Sequence, residues 1–215
     1  MTGKMIVWGR DTSVNVQKVL WALEELGLDY ERIDKGGKFG GLDQPDYLAL
    51  NPNSLVPTLQ DGDVRLWESH AIVRYLSNRY GEGFLLPDDW KTRALAEQWC
   101  EWAQTRFQPA WLTVFVSLVR VAPSKQDPAA IAAAVEKCGP VFEILDRALA
   151  DRPYITGDTF SFADIPLGSA MYRWTRMDFD RPHFPSIAEW HQRLQARPAY
   201  GKSVEIDYSD LIARD

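Results

Sequence analysis

The sequence predicts a small α/β unit followed by an all-helical one. Over roughly the first eighty residues, short apolar runs alternate with a helical period, whereas from Lys91 onward no strand pattern appears. Between them Gly83 to Asp89, bearing Gly, Pro and Asp, reads as the connection. The expected units are residues 1–82 and 90–215.

Met5 to Trp8 is a β-leaning apolar run ended by Gly9-Arg10-Asp11. After the cap-forming Asp11, Thr12 and Ser13, residues Val16, Val19, Leu20 and Leu23 fall on one helical face, and Gly27 supplies the stop. Tyr30 to Ile33 reads as the next strand, so the opening is a βαβ crossover. Gly36 to Gly41 is a glycine-rich loop. Val56 to Leu59 and Val64 to Trp67 form a hairpin around Asp61-Gly62, and a helix runs from near Ser69 to Tyr80. In the second unit Lys91 to Val121 is one long helical pattern with Pro109 as its expected kink. Ala129 to Ala150, Thr159 to Met177 and Ile187 to Ala196 give three more helices, the first bent at Gly139-Pro140.

Composition narrows the function classes. Of 215 residues, 46% are hydrophobic and 25% charged, which supports a packed core rather than disorder. A balance of 24 basic against 30 acidic residues, net −6, argues against a general nucleic-acid binder. No apolar run is long enough for a membrane span and no signal-peptide pattern opens the chain, so the expected location is cytoplasmic. Cys100, Cys138 and the scattered histidines have no metal-ligand spacing, so no metal is expected. Nine tryptophans are left dispersed through the chain.

Five local signatures then occur in order. They are Ser13-Val14-Asn15-Val16-Gln17-Lys18-Val19 at the first strand-to-helix turn, Asn51 to Leu59 around Val56-Pro57, and Trp67-Glu68-Ser69-His70-Ala71-Ile72. Phe160-Ser161-Phe162-Ala163-Asp164-Ile165 follows in the helical half, and Trp190 with Arg197-Pro198-Ala199-Tyr200 near the end. Together they resemble the cytosolic glutathione S-transferases of the bacterial, serine/asparagine kind, over essentially the whole chain. The resemblance implies a thioredoxin-like N-terminal domain, an all-helical C-terminal domain, a homodimer, and glutathione as co-substrate.

The resemblance also assigns residues. It implies a cis Val56–Pro57 bond and an edge where the Val56 backbone pairs with the extended cysteinyl unit of glutathione. At Glu68-Ser69 a strand meets a helix N-terminus, an anion site suited to the γ-glutamyl carboxylate, and Glu68 offers charge for the ammonium. Ser13 falls at the place of the catalytic serine in serine-type relatives, and Asn15 where nu-class relatives carry an active-site asparagine. A thiol of pKa about 8.5 is only about 3% thiolate at pH 7, and the thiolate is the nucleophile. Lowering that pKa by about two units takes roughly 2.7 kcal/mol, within reach of one hydrogen bond to a charged group plus a helix N-terminus. Ser13 is the favoured donor, assisted by Asn15; helix capping is the competing role for both.

No tyrosine or cysteine stands at this position, which excludes a mixed disulfide there. Leu55 replaces the polar residue that many relatives use for the glycyl end, leaving Lys38 and Arg10 as candidates for glutathione contacts. Ser161 and Asp164 resemble a capping box, with Phe160 and Ile165 as its staple. Trp111 and Phe115 are the expected lining of the acceptor site. His70, on a helix's first turn, reads as solvated and without a role. The leading function is conjugation of glutathione to an electrophilic apolar compound. Two alternatives are a nu-class type disulfide oxidoreductase or peroxidase with Asn15 dominant, and a non-catalytic binder of glutathione or apolar ligands.

Overall fold

The computed structural model describes residues 4–215. Four short strands form one mixed sheet in the order β2-β1-β3-β4: β1 (Met5–Trp8), β2 (Tyr30–Ile33), β3 (Thr58–Asp61) and β4 (Val64–Trp67). β1 pairs in parallel with β2, Met5 opposite Tyr30, and antiparallel with β3, Trp8 opposite Thr58. β4 closes the hairpin antiparallel to β3. Between β1 and β2 lies α1 (Val14–Glu25), and α3 (Ser69–Tyr80) follows β4. This thioredoxin-like mixed-sheet unit is followed by an all-helical one.

α1 is buried almost throughout, from Val14 to Leu23 with only Asn15 half-buried, because it packs on α3 on one side and on the helical unit on the other. Trp21 at its centre meets Tyr200 edge-on, with ring centroids 4.9 Å apart. Gly168 permits that approach: a Cβ there would lie 2.5 Å from Leu194 and 2.9 Å from Trp21. Arg197 locks the same seam with two 2.7 Å bonds to Glu25.

The helical unit departs from the periodic reading in three places. The long pattern is α4 (Trp90–Trp102) and α5 (Gln108–Phe115), joined and continued by π-helical segments at Ala103–Phe107 and Val116–Arg120. Pro109 has no N–H to donate back into the preceding turn, and the wide turn stands just before it. α6 (Pro128–Leu149) runs through Pro140. The expected helix Thr159–Met177 is instead a turn followed by α7 (Asp164–Gly168) and α8 (Met171–Arg176). The turn is the capping arrangement itself: Asp164 accepts from the Ser161 amide at 3.0 Å, and the Ser161 hydroxyl accepts from the Ala163 amide at 3.3 Å. The other Asp164 oxygen takes the Ile155 amide and the Trp190 indole N–H, tying three segments to one buried carboxylate. α9 (Pro185–Gln195) and α10 (Pro198–Ser203) complete the unit. A four-residue α2 (Pro45–Leu48) lies before the Asn51 loop. The hairpin's first strand begins at Thr58 rather than Val56, since Pro57 has no N–H for the ladder. No described helix is long and apolar enough to cross a membrane.

Candidate active site

Three loops converge beside the N-terminus of α1. Gly9 ends β1 at φ 148°, and a Cβ there would come within 2.4 Å of Val16 and 3.1 Å of Val56. That absent side chain lets the Val56 loop approach α1. The loop is fixed from below: Tyr47 and Asn51 both donate to the Leu55 carbonyl, at 2.6 and 2.9 Å, and Asn51 accepts from the Asn53 amide at 3.0 Å. The Val56–Pro57 bond is cis. The Val56 amide and carbonyl take no part in the backbone bonds that join this loop to its surroundings.

Ser13 is the N-cap of α1, extended at φ −91°, with its carbonyl accepting from the Gln17 amide at 2.9 Å. Its hydroxyl makes no capping bond, so the competing structural role for Ser13 is not taken up. At the other helix, Glu68 is the N-cap of α3, again without a side-chain cap bond, and Ser69 is buried in the first turn. Glu68 holds φ 70°, a left-handed conformation that costs a non-glycine residue about 1–3 kcal/mol and marks functional junctions. Glu68, Ser69, Val56, Pro57, Leu55 and Asn15 line one small cleft. Asn15, Leu55 and Val56 also border a larger one of about 380 Å³ that holds Ser13 and Arg10. Most of the predicted site residues thus meet in two adjoining clefts.

Others do not. Trp111 is 1% exposed and packs on Phe115 at 5.9 Å without lining either cleft. The cleft-facing stripe of that helix is Gln108, Leu112, Phe115 and Val116, so Trp111 is a core residue and Phe115 alone of the pair reaches the cleft. Lys38 also lies outside both linings; its ammonium pairs with Asp210 at 3.3 Å.

His70 is buried, not solvated, and belongs to a network that sequence reading missed. Lys18, 1% exposed, donates to Asn15 Oδ1 at 3.0 Å, to His70 Nε2 at 2.9 Å and to Gln108 Oε1. The Cys100 carbonyl only accepts, so His70 Nδ1 carries the proton at that 3.1 Å contact and Nε2 is the acceptor for Lys18. Burial, reinforced by the Lys18 charge, pushes His70 down to about 2 and keeps it neutral. Burial pulls Lys18 down to about 7, opposed by the Glu68 carboxylate. Three acceptors match the three N–H donors of an ammonium. The network turns the Asn15 carbonyl oxygen inward, which leaves its amide nitrogen as the group to face a ligand. The available signal is Lys18 set between Val16 and Val19 of the apolar stripe, at a position whose neighbours on both sides are buried.

Burial raises Cys100 to about 12 and Cys138 to about 11, so neither is a thiolate near neutral pH. Among the described residues no group of three His, Cys, Asp or Glu side chains is placed to hold a metal.

The chain matches the glutathione S-transferase N-terminal domain model over residues 3–78 and the C-terminal domain model over 105–198. It is 42% identical over 205 residues to glutathione S-transferase GstB of Escherichia coli, covering 94% of this chain and 99% of that protein. With glutathione S-transferase 3 of Zea mays it shares 36% identity over 207 residues, 92% of each. The crystal structure of a theta class glutathione S-transferase from Xanthomonas axonopodis pv. citri, with glutathione bound, superposes with a TM-score of 0.91 at 44% identity, covering 96% and 99%. Sheet order, helical unit and sequence agree, and the chain belongs to the glutathione S-transferase family.

Proposed function

We propose that this protein is a glutathione transferase in which Ser13 stabilises the glutathione thiolate, assisted by Asn15. The observation that carries the reading is the Ser13 hydroxyl, uncommitted to capping, at the N-terminus of α1 and bordering the same cleft as Val56. Glutathione lies with its cysteinyl unit along Val56 and its γ-glutamyl end at Glu68 and Ser69, where the helix N-terminus favours a carboxylate. Its sulfur then faces Ser13 and the larger cleft. The thiolate attacks an electrophilic carbon; the carbon–sulfur bond forms as the leaving group departs with its electron pair.

Retention on immobilised glutathione and glutathione-dependent turnover of a chlorinated dinitrobenzene test this directly. Both are expected. Retention without turnover of any acceptor supports a binding protein instead, and absence of both retention and turnover removes the proposal.

One observation favours a second reading. Asn15 lines both clefts and is held by Lys18, so an Asn15-centred glutathione-dependent disulfide reduction is the rival. Turnover of a glutathione mixed disulfide exceeding conjugation by about 100-fold, some 2.7 kcal/mol in barrier, selects it. The active unit is proposed to be a homodimer, for which light scattering is expected to return twice the mass of one chain; a monomer mass at micromolar concentration contradicts it.

A further inference from the structure

The larger cleft carries more positive charge than an apolar acceptor requires. Arg10 just after β1, Arg120 at the end of the second π-helical segment and Arg173 in α8 all line it together with Ser13 and Phe115. Arg173 is only 2% exposed. One of its N–H groups donates to the Thr12 carbonyl at 2.7 Å, and the guanidinium stacks over Phe115 and Tyr208 at 5.1 and 5.5 Å. Its Nε is buried without a partner, as are Arg10 Nε and the Thr12 hydroxyl.

The cluster also lacks counter-charge. Among the described residues neither Arg10, Arg120 nor Arg173 forms an ion pair. Asp210 is the one carboxylate that acts on both Arg10 and Arg173, and it is already engaged by Lys38. Burial depresses Arg173 to about 10, with Arg120 and Arg10 adding repulsion. Buried guanidinium donors without acceptors are completed by an anion, for which their planar fork is suited.

We propose that the cleft takes an acceptor with its own anionic group: a small carboxylate-bearing electrophile, its carboxylate held by Arg173 and Arg10 and steered by Arg120. The inference rests on the transferase reading above. The guanidinium groups also offset repulsion between an anionic acceptor and the thiolate, which a neutral pocket does not. In the step itself the glutathione sulfur attacks the carbon bearing the leaving group; the carbon–sulfur bond forms, the carbon–halogen bond breaks, and halide leaves with the electron pair. No redox partner is needed.

Two acceptors of nearly equal size and the same leaving group, 2-iodoacetate and 2-iodoacetamide, separate charge from reactivity when each rate is divided by its uncatalysed reaction with glutathione. The wild-type enzyme is expected to favour iodoacetate by about tenfold or more. Arg120→Ala, at an exposed position, is expected to lower kcat/KM for iodoacetate about fivefold through KM, with iodoacetamide unchanged; adding Arg10→Gln deepens the loss for iodoacetate. Neither result depends on whether an Arg173 variant folds. Equal normalised rates, or arginine variants that slow both acceptors alike, overturn the inference and leave the transferase reading standing. A rise in KM for glutathione, with KM for iodoacetate unchanged, assigns the guanidinium groups to the glycyl carboxylate and also overturns it. No glutathione-dependent turnover of these two or of the chlorinated dinitrobenzene defeats the transferase reading itself.

Discussion

Ser13→Ala is expected to lower kcat/KM for conjugation at pH 7 by about 10- to 100-fold. A hydrogen bond to a charged group contributes about 1.5–3 kcal/mol, which at its upper end moves a thiol from about 3% thiolate to mostly ionised at neutral pH. The α1 N-terminus supplies about 0.3–1 kcal/mol more and survives the substitution, so some activity remains. Because the hydroxyl makes no capping bond, its removal leaves the helix intact and the loss appears in catalysis rather than in stability. Asn15→Ala is expected to cost less, about three- to tenfold, because its carbonyl oxygen is bound to Lys18 and only its amide faces the cleft. Steady-state kinetics of both variants beside thermal melts check this. A larger effect at Asn15 than at Ser13 transfers the donor role to Asn15.

Lys18→Met is expected to destabilise the fold by about 1–3 kcal/mol at neutral pH. The substitution leaves His70 Nε2, Gln108 Oε1 and Asn15 Oδ1 without their shared donor, a cost only partly offset by no longer burying a cation. It also cuts a link between α1 and the helical unit, since Gln108 stands in α5. The pH dependence has a definite sign. Lys18 titrates at about 7 in the fold against about 10.4 in the unfolded chain. Between those values the unfolded state binds more protons, so this residue makes stability rise with pH, by up to about 1.4 kcal/mol per unit. The variant lacks that contribution. Urea unfolding of both proteins from about pH 6 to 9 should therefore show the gap between them widening above pH 7, and parallel curves contradict the assignment.

Much of the N-terminal unit was legible because its signals are local. Met5 to Trp8 and Tyr30 to Ile33 are strands with the expected bounds, and the apolar stripe of Val16, Val19, Leu20 and Leu23 marks α1. The motifs that point to Ser13, Val56 and Glu68-Ser69 each sit at a turn between elements, and these proposed site residues line the two adjoining clefts. The second unit resisted the same reading for geometric reasons. A wide turn inserts one extra residue and rotates the helix face, so aromatics on the two sides of Ala103–Phe107 do not share one straight stripe, and Trp111 turns into the core while Phe115 reaches the cleft. α7, buried at every residue from Asp164 to Gly168, has no single apolar face to read. In the N-terminal unit the helix left unread is α2, whose four residues are too few to show a periodic stripe. Long-range partners were invisible as well: Lys18 meets His70 and Gln108, and Arg173 meets Thr12. No local pattern announces contacts at those separations.

On the proposed reading the protein ionises a thiol that is not its own, and titrating glutathione in the complex reads that ionisation. Thiolate ultraviolet absorbance, followed against pH with enzyme in excess over glutathione, reads the bound pKa. A value about two units below the free thiol's 8.5 is expected in the wild type, returning most of the way in Ser13→Ala. A bound thiol that titrates at the free value, or a depressed value unmoved by Ser13→Ala, contradicts it.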